Sequence, residues 1–304
     1  MKPAIETLKT IGDYIRFAVS EFEKNHLFYG HGTDNAWDEA FNLILMTLHI
    51  PFDMPAHLYS ARLTMPEREE VLAIIEKRIA TRKPIAYLTN RCWFAGMEFF
   101  VDERVLVPRS PIAELIEGHF SPWLDGVDVT RIADIGTGSG CIACACAAYF
   151  PDAIVDAIDI SPDALQVTAE NISRHGLSAQ VNPIESDLLS NVDPALRYQL
   201  IVSNPPYVDK EAMANLPPEF RTEPQLGLAA GDDGLDFAIP LMQQALTRLT
   251  DDGILIVEVG HSDAALMQRF PTIPFTWVEF ERGGKGIFVL TAQELKKHSK
   301  EINA

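Results

Sequence analysis

From Arg131 to the C-terminus, short apolar runs alternate with stretches of helical period, and this alternation constrains the fold more than any other feature of the chain. The runs are "RIADIG", "AIVDAIDIS", "AQVNPIESD", "YQLIVSN", "GILIVEVG", "FTWVEFE" and "GKGIFVL". Between them lie segments that suit helices, such as 162–174 and 235–249. Parallel strands need a crossover of about a dozen residues, usually a helix, so the pattern predicts a doubly wound, mostly parallel sheet. The last two runs are joined by a glycine-rich link without room for a helix, and must pair antiparallel. The expected fold class is α/β with seven strands.

The N-terminal part reads as a separate helical domain, residues 1–84. "TIGDYIRFAVSEFEKN" places Ile11, Ile15, Ala18, Val19 and Phe22 at spacings of three and four, an amphipathic stripe. "NAWDEAFNLILMTLHI" follows, with Asp34 or Asn35 as its cap. "MPEREEVLAIIEKRIATRKP" gives a third helix, with Pro66 in its first turn and Pro84 beyond its end. Residues 85–108 then change character, and "CWFAGMEFFVDERVLVP" has the aromatic and β-branched enrichment of a hairpin turning at Ala95-Gly96. The expected division is a helical domain 1–84, a β-hairpin linker 85–108 and an α/β domain 109–304.

Charge and cysteine usage narrow the partners. The chain of 304 residues carries a formal charge of −18, which repels phosphate backbones and attracts basic proteins. Direct DNA binding is not expected. No apolar run approaches the roughly 18 residues of a membrane span, and the N-terminus lacks a signal-peptide pattern, so a cytoplasmic protein with no membrane contact is expected. Cys141 and Cys144 form a Cys-x-x-Cys pair, followed by Cys146. No second Cys or His pair stands at zinc spacing, so they read as small packing residues of a helix and no metal site is expected. His26, His31 and His49 likewise lack metal spacing and read as surface or core residues.

Two motifs carry chemistry. In "ADIGTGSGCIA", Gly136, Gly138 and Gly140 alternate after Asp134, where a strand gives way to a helix. Glycines there permit a tight turn and close approach of a ligand to the backbone. Asp159 ends the next strand, about 20 residues on, where a carboxylate can accept from ribose hydroxyls. "ESD", Glu185 to Asp187, ends the third strand, where a carboxylate can accept from an adenine amine. These residues outline a nucleoside pocket and leave NAD and S-adenosylmethionine both open. The dinucleotide motif places its third glycine one residue later than Gly140, which favours the methyl donor.

The second motif, Asn204-Pro205-Pro206-Tyr207, ends the fourth strand at the same carboxyl edge. Two prolines cannot continue a strand or a helix, so they form a rigid corner. The Asn204 side-chain carbonyl and the Pro205 backbone carbonyl can both accept from one planar NH₂ group. Such a nitrogen is a poor nucleophile, because its lone pair is delocalised. Acceptors on its hydrogens orient it and favour pyramidalisation as charge develops, while Tyr207 walls the pocket.

"NPPY" after "DIGTGSG" resembles the amino-methyltransferases of the S-adenosylmethionine-dependent fold. "RKPIAYLTNRCWFAGMEFFVDERVLVPRSPIAELIE" is similar to the linker and helix entrance of the protein N5-glutamine methyltransferases. That family has a branch acting on release factors and one acting on the large-subunit ribosomal protein L-three. "HLFYGHGTDNAWDEA" and "NLPPEFRTEPQLGLAAGDDGLD" resemble the second branch. The resemblance covers almost the whole chain apart from its last dozen residues. It implies a catalytic methyltransferase domain, a substrate-recognition role for the helical domain, and S-adenosyl-L-methionine as cofactor. It implies donor contacts at Gly136, Gly138, Asp159 and Asp187, with Asp134, Thr137, Gly140, Ile160, Ser186 and Asn204 assigned to the same site. Asn204, Pro205, Pro206 and Tyr207 would hold the substrate glutamine.

One departure is at the entrance, where Pro108-Arg109-Ser110-Pro111 stands in place of the Pro-Arg-Thr-Glu of the release-factor branch. Arg109 is expected to be a structural pin or a donor contact. The stretch 208–233 has few apolar anchors besides Leu216 and Phe220 and is expected to order only with substrate. The competing readings are methylation of release factors, adenine-N6 methylation of a flipped DNA base, and a non-catalytic ribosome assembly factor.

Overall fold

The computed structural model describes residues 2–304, which divide into two compact units. The first comprises the chain through Arg91 together with Pro217–Glu223, and the second comprises Cys92–Leu216 and Pro224–Ala304.

In the first unit, helices Ile11–Lys24, Ala36–Thr47 and Met65–Thr81 lie where apolar spacing predicts them. Asn35 is the cap of the second, accepting from the Asp38 N–H at 2.9 Å. Thr10 caps the first through a reciprocal box with Asp13, worth roughly 1 kcal/mol, and at the start of the third Glu67 accepts from both the Thr64 N–H and its hydroxyl. Ile11, Tyr14, Ala18, Phe22, Leu43, Ile44, Val71 and Ile75 form the core. The expected hairpin region starts instead with a short helix, Ile85–Thr89, because Pro84 presets its entry and Asn90 ends it in the left-handed region.

The segment 217–223 is a correction to the expected loop. Glu219 and Glu223 are buried in the first unit. Glu219 accepts from the Phe28 N–H at 3.0 Å and lies 3.3 Å from Arg82 Nη1. Arg78, itself buried, donates to Glu39 at 2.8 Å and lies 3.8 Å from Glu219. Glu223 faces His31 at 3.2 Å, and the Phe220 ring meets Phe28 edge-on and packs at a tilt against His31. On either side, 210–215 is helical and Val208 bridges Ala229. The stretch is built around ion pairs rather than apolar anchors, so hydrophobicity gives it no signal.

The second unit opens with the hairpin β1 (Cys92–Phe94) and β2 (Met97–Phe99). Its two-residue turn is Ala95-Gly96, both at positive φ, as a type I′ turn requires. Seven strands then form one mixed sheet: β3 (Arg131–Ile135), β4 (Ile154–Asp159), β5 (Val181–Glu185), β6 (Tyr198–Ser203), β7 (Leu249–Glu258), β8 (Thr276–Trp277) and β9 (Ile287–Thr291). Their order is β5-β4-β3-β6-β7-β9-β8. The first five strands pair parallel, and β9 runs antiparallel to both β7 and β8, the second pairing being the one the short glycine link demands. Pro183 is tolerated in β5 because that strand is an edge.

Alternate residues feed two cores. Ile132, Leu200, Val202, Ile254 and Ile256 join helices Ile112–Glu117 and Cys141–Tyr149, while Ala133, Ile135, Ile201, Leu255 and Val257 join helix Ala238–Ala245. Each fully buried Ile, Leu or Val contributes roughly 1.5–3 kcal/mol. Helix 238–245 is shorter than expected. β7 begins early, at Leu249, and a register shift brings Gly253 over the Tyr198 carbonyl. A Cβ on Gly253 would lie only 2.7 Å from that oxygen. No helix among the described residues is long and apolar enough to cross a membrane.

Candidate active site

The strand order reverses between β3 and β6, since β4 and β5 lie to one side and β6 and β7 to the other. A crevice opens at the carboxyl ends of strands flanking such a reversal, and ligands of open α/β sheets bind there. Ile135 pairs with Ser203, so Gly136 and Asn204 leave the sheet as neighbours. A Cβ built on Gly136 would lie 4.0 Å from the Pro205 Cα. Ser203 Oγ ties the two strand ends by donating to the Ile135 carbonyl at 2.6 Å.

The glycine turn is built for close approach. Gly136, Gly138 and Gly140 have φ of +72°, +57° and +77°, values that favour glycine. The Gly136 and Thr137 N–H groups donate to the Ile158 carbonyl at 2.8 and 2.9 Å, bending the turn over the end of β4. Beside Gly138 a Cβ would meet only the Gly136 carbonyl, at 4.0 Å, so backbone is left open to a ligand. Gly140 is needed for packing instead, because its Cβ would come 2.9 Å from Thr168. Asn171, on helix Pro162–Arg174, holds the Ser139 carbonyl at 2.8 Å and both backbone polar groups of Phe100. A mid-helix Asn had no sequence signal for this role.

Asp134 and Asp159 frame the turn. Asp134 is fully buried, and its Oδ2 accepts from the Thr137 hydroxyl at 2.6 Å and the Ala143 N–H at 3.0 Å. Its Oδ1 has no partner. Burial pushes the carboxyl up to about 7, against the lowering effect of those two donors. Asp159 accepts from the Gly138 and Ser161 N–H groups, both at 2.9 Å. Burial raises it too, offset by these donors. A carboxylate has about four acceptor sites, so both oxygens retain capacity.

Ser186 continues the edge, donating its N–H to the Asp159 carbonyl at 2.9 Å, and Asp187 follows it, exposed. Ile160 leaves 49% of its surface bare beside Asp159, an apolar face suited to a planar ring. The expected donor residues thus come from three consecutive strand ends at one edge. They fit an adenosyl ligand with a cationic sulfur centre: an open glycine cradle, an acceptor at Asp159, an apolar Ile160 face and a buried carboxylate with a free oxygen.

Asn204 Oδ1 is buried and also lacks a hydrogen-bond partner. A buried carbonyl oxygen without a partner costs roughly 1–3 kcal/mol, and an incoming N–H would recover it. Tyr207 donates its hydroxyl to Glu258 Oε1 at 3.1 Å, and Ser110 donates to Glu258 Oε2 at 2.5 Å. Burial raises the Glu258 carboxyl, while the Ser110 and Tyr207 hydroxyls and the nearby Arg109 charge lower it. Arg109 donates to the Val107 carbonyl at 3.3 Å. No role was expected for Ser110.

Relatives decide the family. A protein of Francisella tularensis subsp. tularensis, named as a ribosomal protein uL3 glutamine methyltransferase, is 47% identical over 97% of this chain and 94% of its own. One of the same name from Xanthomonas campestris pv. campestris is 48% identical over 98% of this chain and 96% of its own. This chain belongs to the ribosomal protein uL3 glutamine methyltransferase family. Residues 122–221 also match the family described as methyltransferase small domain. That span holds both the glycine turn and the Asn-Pro-Pro-Tyr corner of this uL3 glutamine methyltransferase family member.

Among solved structures, the catalytic domain of hMettl16 in complex with a MAT2A 3′UTR hairpin is similar in fold. It has a TM-score of 0.51 and 18% identity, over 75% of this chain and 82% of its own. The fold is that of the S-adenosylmethionine-dependent methyltransferases, and the chain is a methyltransferase. Among the described residues no cluster of His, Cys, Asp and Glu is arranged to hold a metal. The four cysteines are free thiols, and burial pushes Cys144 up to about 12, so the Cys-x-x-Cys pair packs the helix that follows the glycine turn.

Proposed function

We propose that this chain methylates the side-chain amide nitrogen of a glutamine in ribosomal protein uL3, using S-adenosyl-L-methionine. The observation that carries the reading is the unpartnered Asn204 Oδ1, one residue beyond a strand whose neighbour leads into the glycine turn. Gly136, Thr137, Gly138, Gly140, Asp134, Asp159, Ile160, Ser186 and Asp187 hold the donor, with Asn204 at its methyl end.

The donor supplies an electrophilic methyl carbon on a sulfonium. Asn204 Oδ1 and the Pro205 carbonyl accept the two N–H bonds of the substrate amide and point its nitrogen at that carbon. Positive charge would grow on the nitrogen as it is methylated, and the two acceptors would hold it more strongly than they held the neutral amide. Tyr207 restricts the amide plane, and positioning supplies much of the rate. The methylated nitrogen then gives one proton to water, so no dedicated base is required.

The formal charge of −18 supports capture of a basic ribosomal protein, in the cytoplasm, where free thiols stay reduced. The test is to incubate the purified chain with labelled donor and either free uL3 or a release factor. Label on a uL3 glutamine, located by peptide mass spectrometry, is the expected result. Label on the release factor alone would reassign the substrate.

A further inference from the structure

Tyr207 is held on several sides by one short segment at the end of β7. Its hydroxyl donates to Glu258 at 3.1 Å. Its ring lies over Gly260, where a Cβ would come 2.5 Å from Cε2 and 3.0 Å from Cζ. Its backbone carbonyl accepts from Ser262 Oγ at 3.2 Å. Gly260 sits at φ +51°, and Gly286 backs it closely enough that a Cβ there would meet the Gly260 carbonyl. The Val259 N–H donates to the Gly286 carbonyl at 2.7 Å. The segment Glu258–Ser262 therefore forms a seat whose shape fits an aromatic ring and whose polar groups match Tyr207.

Glu258 also reaches the other side of the site. Its second oxygen accepts from Ser110 at 2.5 Å, and Ser110 Oγ in turn accepts from the Ile112 N–H at 3.2 Å, where the helix Ile112–Glu117 begins. A buried carboxyl, 5% exposed, thus joins the corner after β6 to the Pro108–Pro111 entrance through its two oxygens. A tyrosine that only filled space would not need a buried carboxyl group at its tip, since burying that group is costly unless it is hydrogen-bonded.

We propose that Glu258 is a positioning residue for amide methylation, fixing the Tyr207 ring against the substrate amide and locking the corner to the Ser110 entrance. The inference rests on the reading of Asn204–Tyr207 as the amide site. Glu258 touches neither substrate nor donor. Its loss lets the ring turn off the amide plane, so it acts on turnover rather than on donor binding.

The test measures kcat, KM for uL3 and donor affinity for Glu258→Ala, Glu258→Gln, Tyr207→Phe and the Glu258→Ala/Tyr207→Phe pair. Glu258→Ala is expected to lower kcat by about 10- to 100-fold, the scale of a small misplacement of reacting groups, with donor affinity unchanged. Glu258→Gln is expected to recover most of the rate, because its carbonyl can accept from Tyr207 and its amide can donate to Ser110. Tyr207→Phe is expected to lower kcat as well, and the pair to be no slower than the worse single variant. Full multiplication of the two losses would overturn the proposal by showing that the residues act independently.

If Glu258→Ala does not fold, Tyr207→Phe and Glu258→Gln still decide. Tyr207→Phe at the wild-type rate overturns the proposal, as does a Glu258→Gln enzyme whose donor affinity falls while kcat holds. Asn204→Ala run alongside separates the two levels. If it is inactive while Tyr207→Phe is unimpaired, only the role of Glu258 fails; if it is fully active, the reading beneath fails too.

Discussion

Among the described residues of the second unit, two buried side-chain oxygens lack hydrogen-bond partners, Asn204 Oδ1 and Asp134 Oδ1. The first belongs to the side chain that the sequence pattern marks as an acceptor for a planar NH₂ group. The second was visible only as an acid before a glycine turn. Burial without a counter-charge raises Asp134 from 3.8 to about 7. The folded chain therefore keeps a proton there that the unfolded chain gives up between those values. The stability contribution of this group is full at low pH and is lost as pH rises through about 7. Full ionisation costs on the order of 4 kcal/mol. Asp134→Asn keeps the shape without the charge, so its melting temperature without donor should gain on wild type by several degrees between pH 5 and pH 8. An equal difference at both pH values would show that the carboxyl does not titrate there.

The elements were legible where a local rule operates. Period and length marked the strands and the N-terminal helices, the Ala95-Gly96 turn marked the hairpin, and the glycine-rich link forced the antiparallel strand. The glycine turn was legible as a motif, but its three glycines do different things. Gly138 faces open space, whereas Gly140 packs on Thr168, a contact with a helix 28 positions away in sequence. Gly140→Ala must accept both a left-handed φ of +77° and a 2.9 Å clash, costing roughly 1–3 kcal/mol. Gly176→Ala, at φ +68° with nothing within 4 Å, meets only the backbone term of about 1 kcal/mol. Chemical denaturation should place Gly140→Ala below Gly176→Ala, with donor affinity reduced only in the first. Equal stabilities would mean that the turn does not pack as described.

At the scale of the whole molecule, what stayed illegible was long-range and charged. Phe28 meets Glu219 across 191 positions, and His31 meets Glu223 across 192, and no periodic pattern records such pairs. The first 91 residues contain 12 Asp and Glu against 11 Lys and Arg, so nearly all of the −18 charge lies later in the chain. The N-terminal helices are thus close to neutral, and their buried ion pairs hold the 217–223 segment. Arg78→Met would leave Glu39 and Glu219 buried without their shared cation, a loss of about 3–5 kcal/mol. Thermal unfolding should show it as an early transition, and an unchanged profile would remove Arg78 from the account of this unit. The same corner that leads into that segment carries the catalytic claim, which rests on one oxygen. Donor affinity by calorimetry and single-turnover methylation of uL3 by Asn204→Ala test it together. Unchanged donor affinity with methylation slowed by about 100-fold or more is the expected outcome. Methylation at the wild-type rate would show that the amide is held elsewhere.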